Sequence, residues 1–366
     1  MIGRRGLVSG MAGTAAGIGM LAPPRPARAQ ELPELHWRLV SNFPKSLDTI
    51  YGTAVEFARA VGELSEGRFR IDVFAAGEIV PGLQVLDAVQ NGTVEMGHGP
   101  TYFYSGKDPT FTLFTGLPFG LNTRMQNAWM YQGGGGELLN QFLEKYNAYA
   151  LPAGNSGCQM GGWFRKELKT VEDLKGLKFR IPGMAGQIWQ RLGAVPQQIS
   201  PGDIFPALEK GTIDAAEFVG PYDDEKLSLY KVAKYYYYPG WWEGGALACT
   251  LVNLKNWQEL PEYYRSIITY ASAYANGWMT AKYDAVNPGA LKRLVAAGTV
   301  LRPFPQEILV ASWVQAQQLY AELRDQSEDF RRIYDHLVAF RDDQYLWWQV
   351  AEFGYDAFMV RQRRGG

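Results

Sequence analysis

The feature of this sequence that most constrains its fold is a pair of motifs that occurs twice in the same order. The segment GRFRI at 67–71 has a counterpart in LKFRI at 177–181, and AVQNGTVEM at 88–96 has one in ALEKGTIDA at 207–215. Each second motif is typical of a helix end, a glycine that stops the helix, and a strand. Helix–glycine–strand units are common, but two motifs in one order at similar spacing predict two similar α/β lobes.

Hydrophobic periodicity around the motifs supports this interpretation. The early chain alternates strand-like and helical segments, with strands predicted in 34–43, 68–74 and 93–100 and helices in 49–64 and 80–91. After residue 239, the apolar run 241–254 can cross back between the lobes. The later chain is predicted to be mostly helical, over 261–282, 288–297, 305–327 and 329–361. We therefore place lobe 1 at 30–152, lobe 2 at 153–245, shared elements at 246–300 and C-terminal helices at 301–366.

The first thirty residues have the pattern of a bacterial export signal. Arg4 and Arg5 precede an uncharged stretch, and the A-x-A pattern at 27–29 predicts cleavage before Gln30. An uncleaved anchor is the alternative. We expect residues 1–29 to direct the protein to the periplasm, with a twin-arginine signal.

Charge and cysteine content narrow the function classes. The 36 Lys and Arg residues nearly balance the 37 Asp and Glu residues, which argues against a nucleic-acid-binding protein. Cys158 and Cys249 are the only cysteines. We expect two buried thiols, with a disulfide as the alternative, and the three histidines give little support for a zinc site.

The repeat also predicts where a ligand binds. Residues 98–100 correspond to residues 217–219, and both triplets are expected just after a strand. In open α/β sheets ligands bind beyond the carboxyl ends of strands, so a cleft between the lobes is the expected site.

Arg180 is the clearest candidate for a carboxylate-binding group. It stands near the end of the strand pattern LKFRI, between apolar Phe179 and Ile181 and just before the Pro-Gly turn at 182–183. A guanidinium offers a rigid two-pronged donor for a carboxylate. A structural salt bridge to a neighbouring acid is the competing interpretation, and Arg70 at the matching motif position shows that a structural role is compatible with the pattern.

Oxygen-bearing side chains form a second group of candidates. Asn155 and Gln159 are predicted on one face of a strand, Glu217 follows the second repeat, and Glu243 stands in WWEGG. Such oxygens suit sodium or calcium rather than zinc. Ordinary salt-bridged acids are the alternative, and the acids at 223–225 are expected to form a solvated face.

Two longer segments resemble the signature of solute-binding proteins of TRAP (tripartite ATP-independent periplasmic) transporters. They are DLKGLKFRIPG at 173–183 and LGAVPQQISPGDIFPALEKGTIDAAEF at 192–218, and GEIVPGLQVLDAVQNGTVEMG at 77–97 resembles the first-lobe segment of that family. The resemblance covers nearly the whole chain after the signal. It implies a two-lobed periplasmic binding protein of type II-like α/β fold, with a cleft between the lobes and long C-terminal helices.

The resemblance also implies roles for individual residues. The family's common C4-dicarboxylate and sialic-acid pattern has Asn where Glu217 stands, and this sequence instead resembles the branch that binds 2-oxo acids or lactate with a cation. That branch implies a metal, with sodium favoured over calcium, held by Gln159, Glu217 and Glu243 and a carbonyl of Phe218 or Trp242. It further implies a 2-oxo monocarboxylate such as pyruvate bridging the metal and Arg180, with contacts from Asn155, Gln159, Phe218 and Tyr102 or Tyr104.

The implied partners are the TRAP membrane subunits and a second copy of the chain. The last predicted helix carries large apolar side chains that must be buried somewhere, namely Tyr345, Trp347, Trp348, Val350, Phe353, Phe358 and Met359. Packing on their own lobe and packing on a partner subunit both remain open from the residues, and the resemblance implies a homodimer through this helix.

A receptor and not an enzyme is therefore expected. Two alternatives remain: a periplasmic enzyme acting on oxo acids, for which His98 is the candidate base, and a purely structural dimer module. Within the receptor class, lactate, another carboxylate or a polyol is the alternative ligand.

Overall fold

A computed structural model describes residues 32–363. The predicted export signal at 1–29 lies outside these described residues. The described chain forms these strands: β1 (Leu35–Ser41), β2 (Phe69–Phe74), β3 (Met96–Gly99), β4 (Ala148–Asn155), β5 (Gly162–Phe164), β6 (Lys178–Arg180), β7 (Val195–Gln197), β8 (Ala215–Ala216), β9 (Tyr235–Tyr238), β10 (Leu247–Asn253) and β11 (Val300–Pro303).

The α-helices account for much of the remaining chain. They are α1 (Ile50–Leu64), α2 (Val85–Gln90), α3 (Thr112–Thr115), α4 (Thr123–Gln132), α5 (Gly135–Leu143), α6 (Gly183–Arg191), α7 (Ile204–Glu209), α8 (Pro221–Lys226), α9 (Leu254–Glu259), α10 (Glu262–Ala296), α11 (Gln306–Gln326), α12 (Glu328–Val350) and α13 (Glu352–Gln362).

The strands form two sheets with the same arrangement. The first sheet has the order β2-β1-β3-β10-β4, and the second has β7-β6-β8-β5-β9-β11. In each sheet the first three strands are parallel and the fourth is antiparallel to its neighbours. This correspondence matches the two-lobed α/β architecture expected from the repeat.

The strand orders also show which motifs are equivalent. The helix–glycine–strand motifs lead into β3 and β8, which are the third strands of their sheets. The other motif pair is not equivalent, because β2 is an edge strand whereas β6 lies beside β8, as β1 lies beside β3. Arg70 is accordingly an exposed residue whose Nε donates to the Gly67 carbonyl.

The chain crosses between the two sheets in several places. Residues 156–161 lead from β4 to β5, residues 239–246 lead from β9 to β10, and α10 leads toward β11. β10 returns to the first sheet between β3 and β4, as the apolar run predicted. The first sheet extends through β4 to Asn155, past the expected lobe boundary at 152.

The helical C-terminal region differs from the prediction in three respects. α10 is one helix of 35 residues with Pro288 inside it, where two helices were expected. Its contacts with β4, α1 and α8 outweigh the local cost of a helix proline, about 3 kcal/mol. Residues 300–303 form β11, which pairs in parallel with β9, and the last predicted helix breaks at Ala351 into α12 and α13.

The two cysteines do not form a disulfide. Cys249 is a buried thiol in β10, as expected, but Cys158 is exposed in the crossover after β4. The strand-like pattern around Cys158 is misleading, because β4 and β5, on either side of it, belong to different sheets.

Candidate functional site

Parallel pairing of β6 with β8 places Arg180 and Glu217 side by side. Arg180 pairs with Ala216 in register, so Glu217 follows directly at the end of the neighbouring strand. The Glu217 backbone N–H donates to the Arg180 carbonyl at 3.1 Å. Both side chains are almost completely buried, with exposed fractions of 2% and 0%.

The Arg180 guanidinium is engaged on two of its nitrogens. Nη1 donates to the Glu217 carbonyl oxygen at 2.7 Å and contacts the Glu217 carboxylate oxygen Oε1, and Nε donates to the Ile199 carbonyl at 3.1 Å. The salt bridge to a neighbouring acid is therefore present in this structure. The Phe218 ring adds a cation–π contact, with its centroid 5.8 Å from the guanidinium carbon.

The two crossover segments bring Gln159 and Glu243 together. The Gln159 backbone N–H donates to the Glu243 carbonyl at 3.1 Å, and the Gly240 N–H donates to the Gln159 carbonyl at 2.9 Å. A Cβ at Gly240 would lie 2.8 Å from that carbonyl oxygen, so this close approach requires glycine. Both side chains are buried.

Three side-chain oxygens of this cluster are buried without a hydrogen-bond partner: Gln159 Oε1, Glu217 Oε2 and Glu243 Oε2. Unpaired buried polar groups are costly, and buried carboxylates more so. Oxygens of this kind are the ligands that sodium and calcium prefer. The residues expected to hold a cation therefore fit one, on the evidence of their own unsatisfied atoms.

The electrostatics of the cluster agree with that fit. Burial raises the pKa of Glu217 to about 8, although Arg180 opposes the shift. Burial, and then the charge of Glu217, raise the pKa of Glu243 well above its usual range. Two carboxylates so placed hold protons readily, and a positive charge between them would favour their ionised forms.

An apolar cavity adjoins the cluster. It has a volume of about 20 Å³, and its lining contains no charged residue. The lining consists of Phe43, Ile50, Pro100, Tyr102, Phe103, Ser156, Gln159, Phe218, Val219, Ala246, Ala248 and Met279. The walls include Ala248 of β10 in the first sheet and Phe218 and Val219, which follow β8 of the second sheet.

Tyr102 is the tyrosine that belongs to this region. It lines the cavity and also a second small space beside Trp242 and Glu243. Burial raises the pKa of Tyr102 well above its usual value, and the charges of Glu243 and then Glu217 add to the shift. Tyr104 lies elsewhere: its hydroxyl accepts a hydrogen bond from Asn42 at 3.3 Å.

Asn155 and Gln159 are both buried, but they do not share a strand. β4 ends at Asn155, and Gln159 lies in the crossover before β5. The Asn155 amide is held within the protein, since Nδ2 donates to Gln126 Oε1 at 2.9 Å and Oδ1 accepts from the Gly157 N–H at 3.0 Å. The expected strand face is wrong because the chain leaves the first sheet at this point.

The aromatic ring of Trp242 packs away from the cluster, among Phe179, Trp189, Trp241 and Phe304. Its backbone, next to Glu243, remains the part that could contribute a carbonyl. The ring instead makes one wall of the buried aromatic core beneath the second sheet.

His98 does not have the environment of a catalytic base. It lies within β3 and not after it, is fully buried, and its Nε2 is 3.0 Å from the Ala153 carbonyl oxygen. Burial lowers the pKa of His98 to about 4.

Sequence reasoning missed several buried polar residues. Gln126 holds the Asn155 amide, and its own Nε2 donates to the Phe114 and Thr115 carbonyls. Asp223 and Asp224 are fully buried, whereas a solvated face was expected. Pro221 at the first position of a helix was the available signal that these acids belong to a packed helix, not to a loop.

Residues 32–363 contain no group of three or more His, Cys, Asp or Glu side chains arranged to hold a metal ion. The candidate cluster has only two such side chains, with Gln159 as the third oxygen donor. No helix in the same range has the length and hydropathy needed to span a membrane.

Comparison with known proteins places this geometry in a family. Residues 40–326 match the family model DctP, described as bacterial extracellular solute-binding protein, family 7. A monocarboxylate 2-oxoacid-binding periplasmic protein of Nostoc sp. (strain PCC 7120) is 50% identical over 327 residues, which is 89% of this chain and 90% of the relative.

Solved structures of similar proteins agree. A TRAP transporter solute-binding protein from Bordetella bronchiseptica RB50 superposes with a TM-score of 0.90 at 48% identity, and the match covers 91% of this chain and 100% of that one. The Bordetella structure is a mixed-occupancy dimer with copurified calcium and picolinate. A TRAP periplasmic solute-binding protein from Pseudoalteromonas atlantica T6c, with bound sodium and pyruvate, superposes with a TM-score of 0.85 at 36% identity. The match covers 88% of this chain and 98% of that one.

These matches confirm the expected family and the expectation of a binding protein in place of an enzyme. The chain belongs to the DctP family of bacterial extracellular solute-binding proteins, as a TRAP solute-binding protein that resembles the 2-oxoacid-binding members.

Proposed function

We propose that this protein is the periplasmic receptor of a TRAP transporter and binds a small 2-oxo monocarboxylate together with a cation, between its two lobes. The observation that carries the proposal is the group of three unpartnered buried oxygens, on Gln159, Glu217 and Glu243, next to Arg180. Relatives named as 2-oxoacid-binding or solved with pyruvate support the ligand class.

Charge balance explains how the proposed site works. Gln159, Glu217 and Glu243, with a carbonyl of Phe218 or Trp242, would hold the cation, which supplies positive charge to the ligand carboxylate and its 2-oxo oxygen. Arg180 supplies the second positive charge. Since a small acid offers few atoms, its affinity depends on such charge-assisted contacts.

The cavity explains why a ligand with one carboxylate is favoured over a ligand with two. Its walls are mostly apolar and carry no charged side chain, so a second ligand carboxylate would be buried without a compensating charge. Tyr102 and Phe218 both line this cavity, and the Phe218 ring also lies against the Arg180 guanidinium. Lobe closure over the ligand would then be the change that the membrane subunits recognise.

We also infer that the protein forms a homodimer through its C-terminal helices. Large apolar side chains of α12 and α13 remain exposed, including Trp347 at 57%, Val350 at 74%, Phe353 at 61% and Phe358 at 54%. Exposed apolar patches of this kind are typical of interfaces. The dimer of the Bordetella relative supports the inference.

Thermal melting of the ligand-stripped protein tests the proposed function. Pyruvate, 2-oxobutyrate, lactate, succinate and mannitol are each added with sodium, with calcium and with neither. A ligand at 100 times its Kd stabilises by about 2.7 kcal/mol. We expect a rise in Tm of about 4 °C with 2-oxo monocarboxylates, only in the presence of a cation.

Other results would contradict the proposal. A shift with mannitol or succinate but not with pyruvate would retain a receptor and reject the ligand class. A full shift with pyruvate in the absence of any added cation would reject the bridging role of Gln159, Glu217 and Glu243.

A further inference from the structure

The hydrogen-bond donors of Arg180 are unequally available in this structure. A guanidinium has five N–H groups: one on Nε and two on each terminal nitrogen. Nε is used by the Ile199 carbonyl, and Nη1 is used by the carbonyl and the carboxylate of Glu217. Nη2 is therefore the one nitrogen with no hydrogen bond among the described residues.

A bound carboxylate needs more than Nη2. The two-pronged contact between arginine and a carboxylate uses two neighbouring nitrogens, either Nε with Nη2 or Nη1 with Nη2. The Nε side is closed by a backbone carbonyl, which cannot leave without disturbing the chain around Ile199. The Nη1 side is closed partly by Glu217 Oε1, which is on a side chain and can move.

We propose that Glu217 occupies the ligand position on Arg180 until a cation draws it away, so that the cation binds first and the acid second. This inference rests on the proposed function and adds an order of binding to it. Glu217 acts in the cation-free protein as an internal substitute for the ligand carboxylate. When its carboxylate turns toward the cation, one Nη1 hydrogen becomes available beside Nη2.

The surroundings of Glu217 provide the alternative position for its carboxylate. Glu217 Oε2 already has no hydrogen-bond partner, and neither do Gln159 Oε1 and Glu243 Oε2. A cation held by these oxygens would satisfy all three atoms at once. Because a glutamate carboxylate can bind a cation through both of its oxygens, the cation would also draw Oε1 away from Arg180. An acid arriving before the cation would instead share one guanidinium with Glu217.

Glu243 provides a matched control. It belongs to the same cation cluster and carries the same side chain, but within residues 32–363 it makes no hydrogen bond to Arg180. Replacing Glu243 by glutamine should weaken cation binding without releasing Arg180. Replacing Glu217 by glutamine should weaken cation binding and also release Arg180, because a neutral amide competes poorly for the guanidinium.

The first test measures pyruvate affinity, as its choline salt, by tryptophan fluorescence in buffer with EDTA and no sodium. We expect at least a tenfold gain in cation-free affinity for Glu217→Gln over the wild type, and no gain for Glu243→Gln. No gain for Glu217→Gln, or an equal gain in both variants, would overturn the displacement. Failure of the wild type to bind pyruvate even with calcium or sodium would instead overturn the proposed function.

A second test uses only the wild-type protein and does not depend on how the variants fold. Calcium-loaded protein is mixed with excess EDTA at increasing pyruvate concentrations, and the calcium release rate is followed. If the acid binds second, it traps the cation, and the rate should fall more than tenfold toward zero. A rate that levels off above a tenth of its pyruvate-free value would overturn the order of binding.

Discussion

Removing the Arg180 guanidinium should reduce both the stability of the ligand-free protein and the affinity for the acid. Arg180→Ala deletes three hydrogen bonds, to the Ile199 carbonyl and to the carbonyl and carboxylate of Glu217. It leaves a fully buried carboxylate without a partner. Breaking a buried pair in this way costs about 3–5 kcal/mol.

The lower end of that range is expected here. Burial already raises the pKa of Glu217 to about 8, so without Arg180 this carboxyl can take up a proton and avoid a bare buried charge. We therefore expect a loss of about 3 kcal/mol, or about 4 °C in Tm for a chain of this size. Acid affinity should fall by about two to three orders of magnitude, since truncating one side of a buried charge pair costs about 2–5 kcal/mol.

The measurements are urea unfolding without ligand or cation, and pyruvate titration with saturating calcium. Arg180→Lys keeps the charge but loses the planar fork, and should lie between the wild type and Arg180→Ala in affinity. The double variant Arg180→Ala/Glu217→Gln should recover part of the lost stability, because no buried carboxylate is left alone. A stability loss below about 1 kcal/mol would refute the reasoning about the buried pair. Pyruvate binding within twofold of the wild type would remove Arg180 from the site.

Three further outcomes are expected. Ala248→Leu, which fills the apolar cavity, should weaken 2-oxovalerate binding at least tenfold more than pyruvate binding in titrations with calcium. An equal loss for both acids would mean that the longer alkyl chain of the ligand lies outside this cavity. Burial raises the pKa of Asp223 to about 7, so above about pH 4 the folded protein binds more protons at this residue than the unfolded chain does. The free energy of unfolding of the wild type, relative to that of Asp223→Asn, should therefore decrease as pH rises from about 4 to about 7 and then level off. A pH-independent difference between the two proteins in urea unfolding would contradict this. Phe353→Asp/Phe358→Asp should convert a dimer to a monomer in sedimentation experiments, and an unchanged mass would exclude α13 from the interface.

Part of the candidate site could be predicted from sequence because its residues follow local patterns. Arg180 ends an alternating strand, and Glu217 follows a helix–glycine–strand unit that occurs twice. Each residue was expected at a strand end facing the cleft, and parallel strands align their carboxyl ends at one edge of a sheet. The structure places the two side chains in direct contact. The guanidinium that was expected to bind a ligand carboxylate is therefore the one that forms the salt bridge with Glu217.

Other predictions were wrong where local patterns and long-range packing disagree. Asn155 and Gln159 look like one strand face, but the chain passes from one sheet to the other between them. The acids Asp223 and Asp224 look like a solvated loop. They are buried because α8 packs on α10, where Tyr283 donates to Asp223, and because Trp163 and Tyr236 donate to Asp224.

The sequence by itself determined the alternation of strands and helices, the two-lobed repeat and the strand ends that carry Arg180 and Glu217. These depend on periodicity and on glycine stops, which act over a few residues. Only the tertiary structure decided that Gln159 meets Glu243 and that three oxygens remain unpaired. Pairing between distant crossover segments depends on how both sheets pack, and no local pattern encodes that contact.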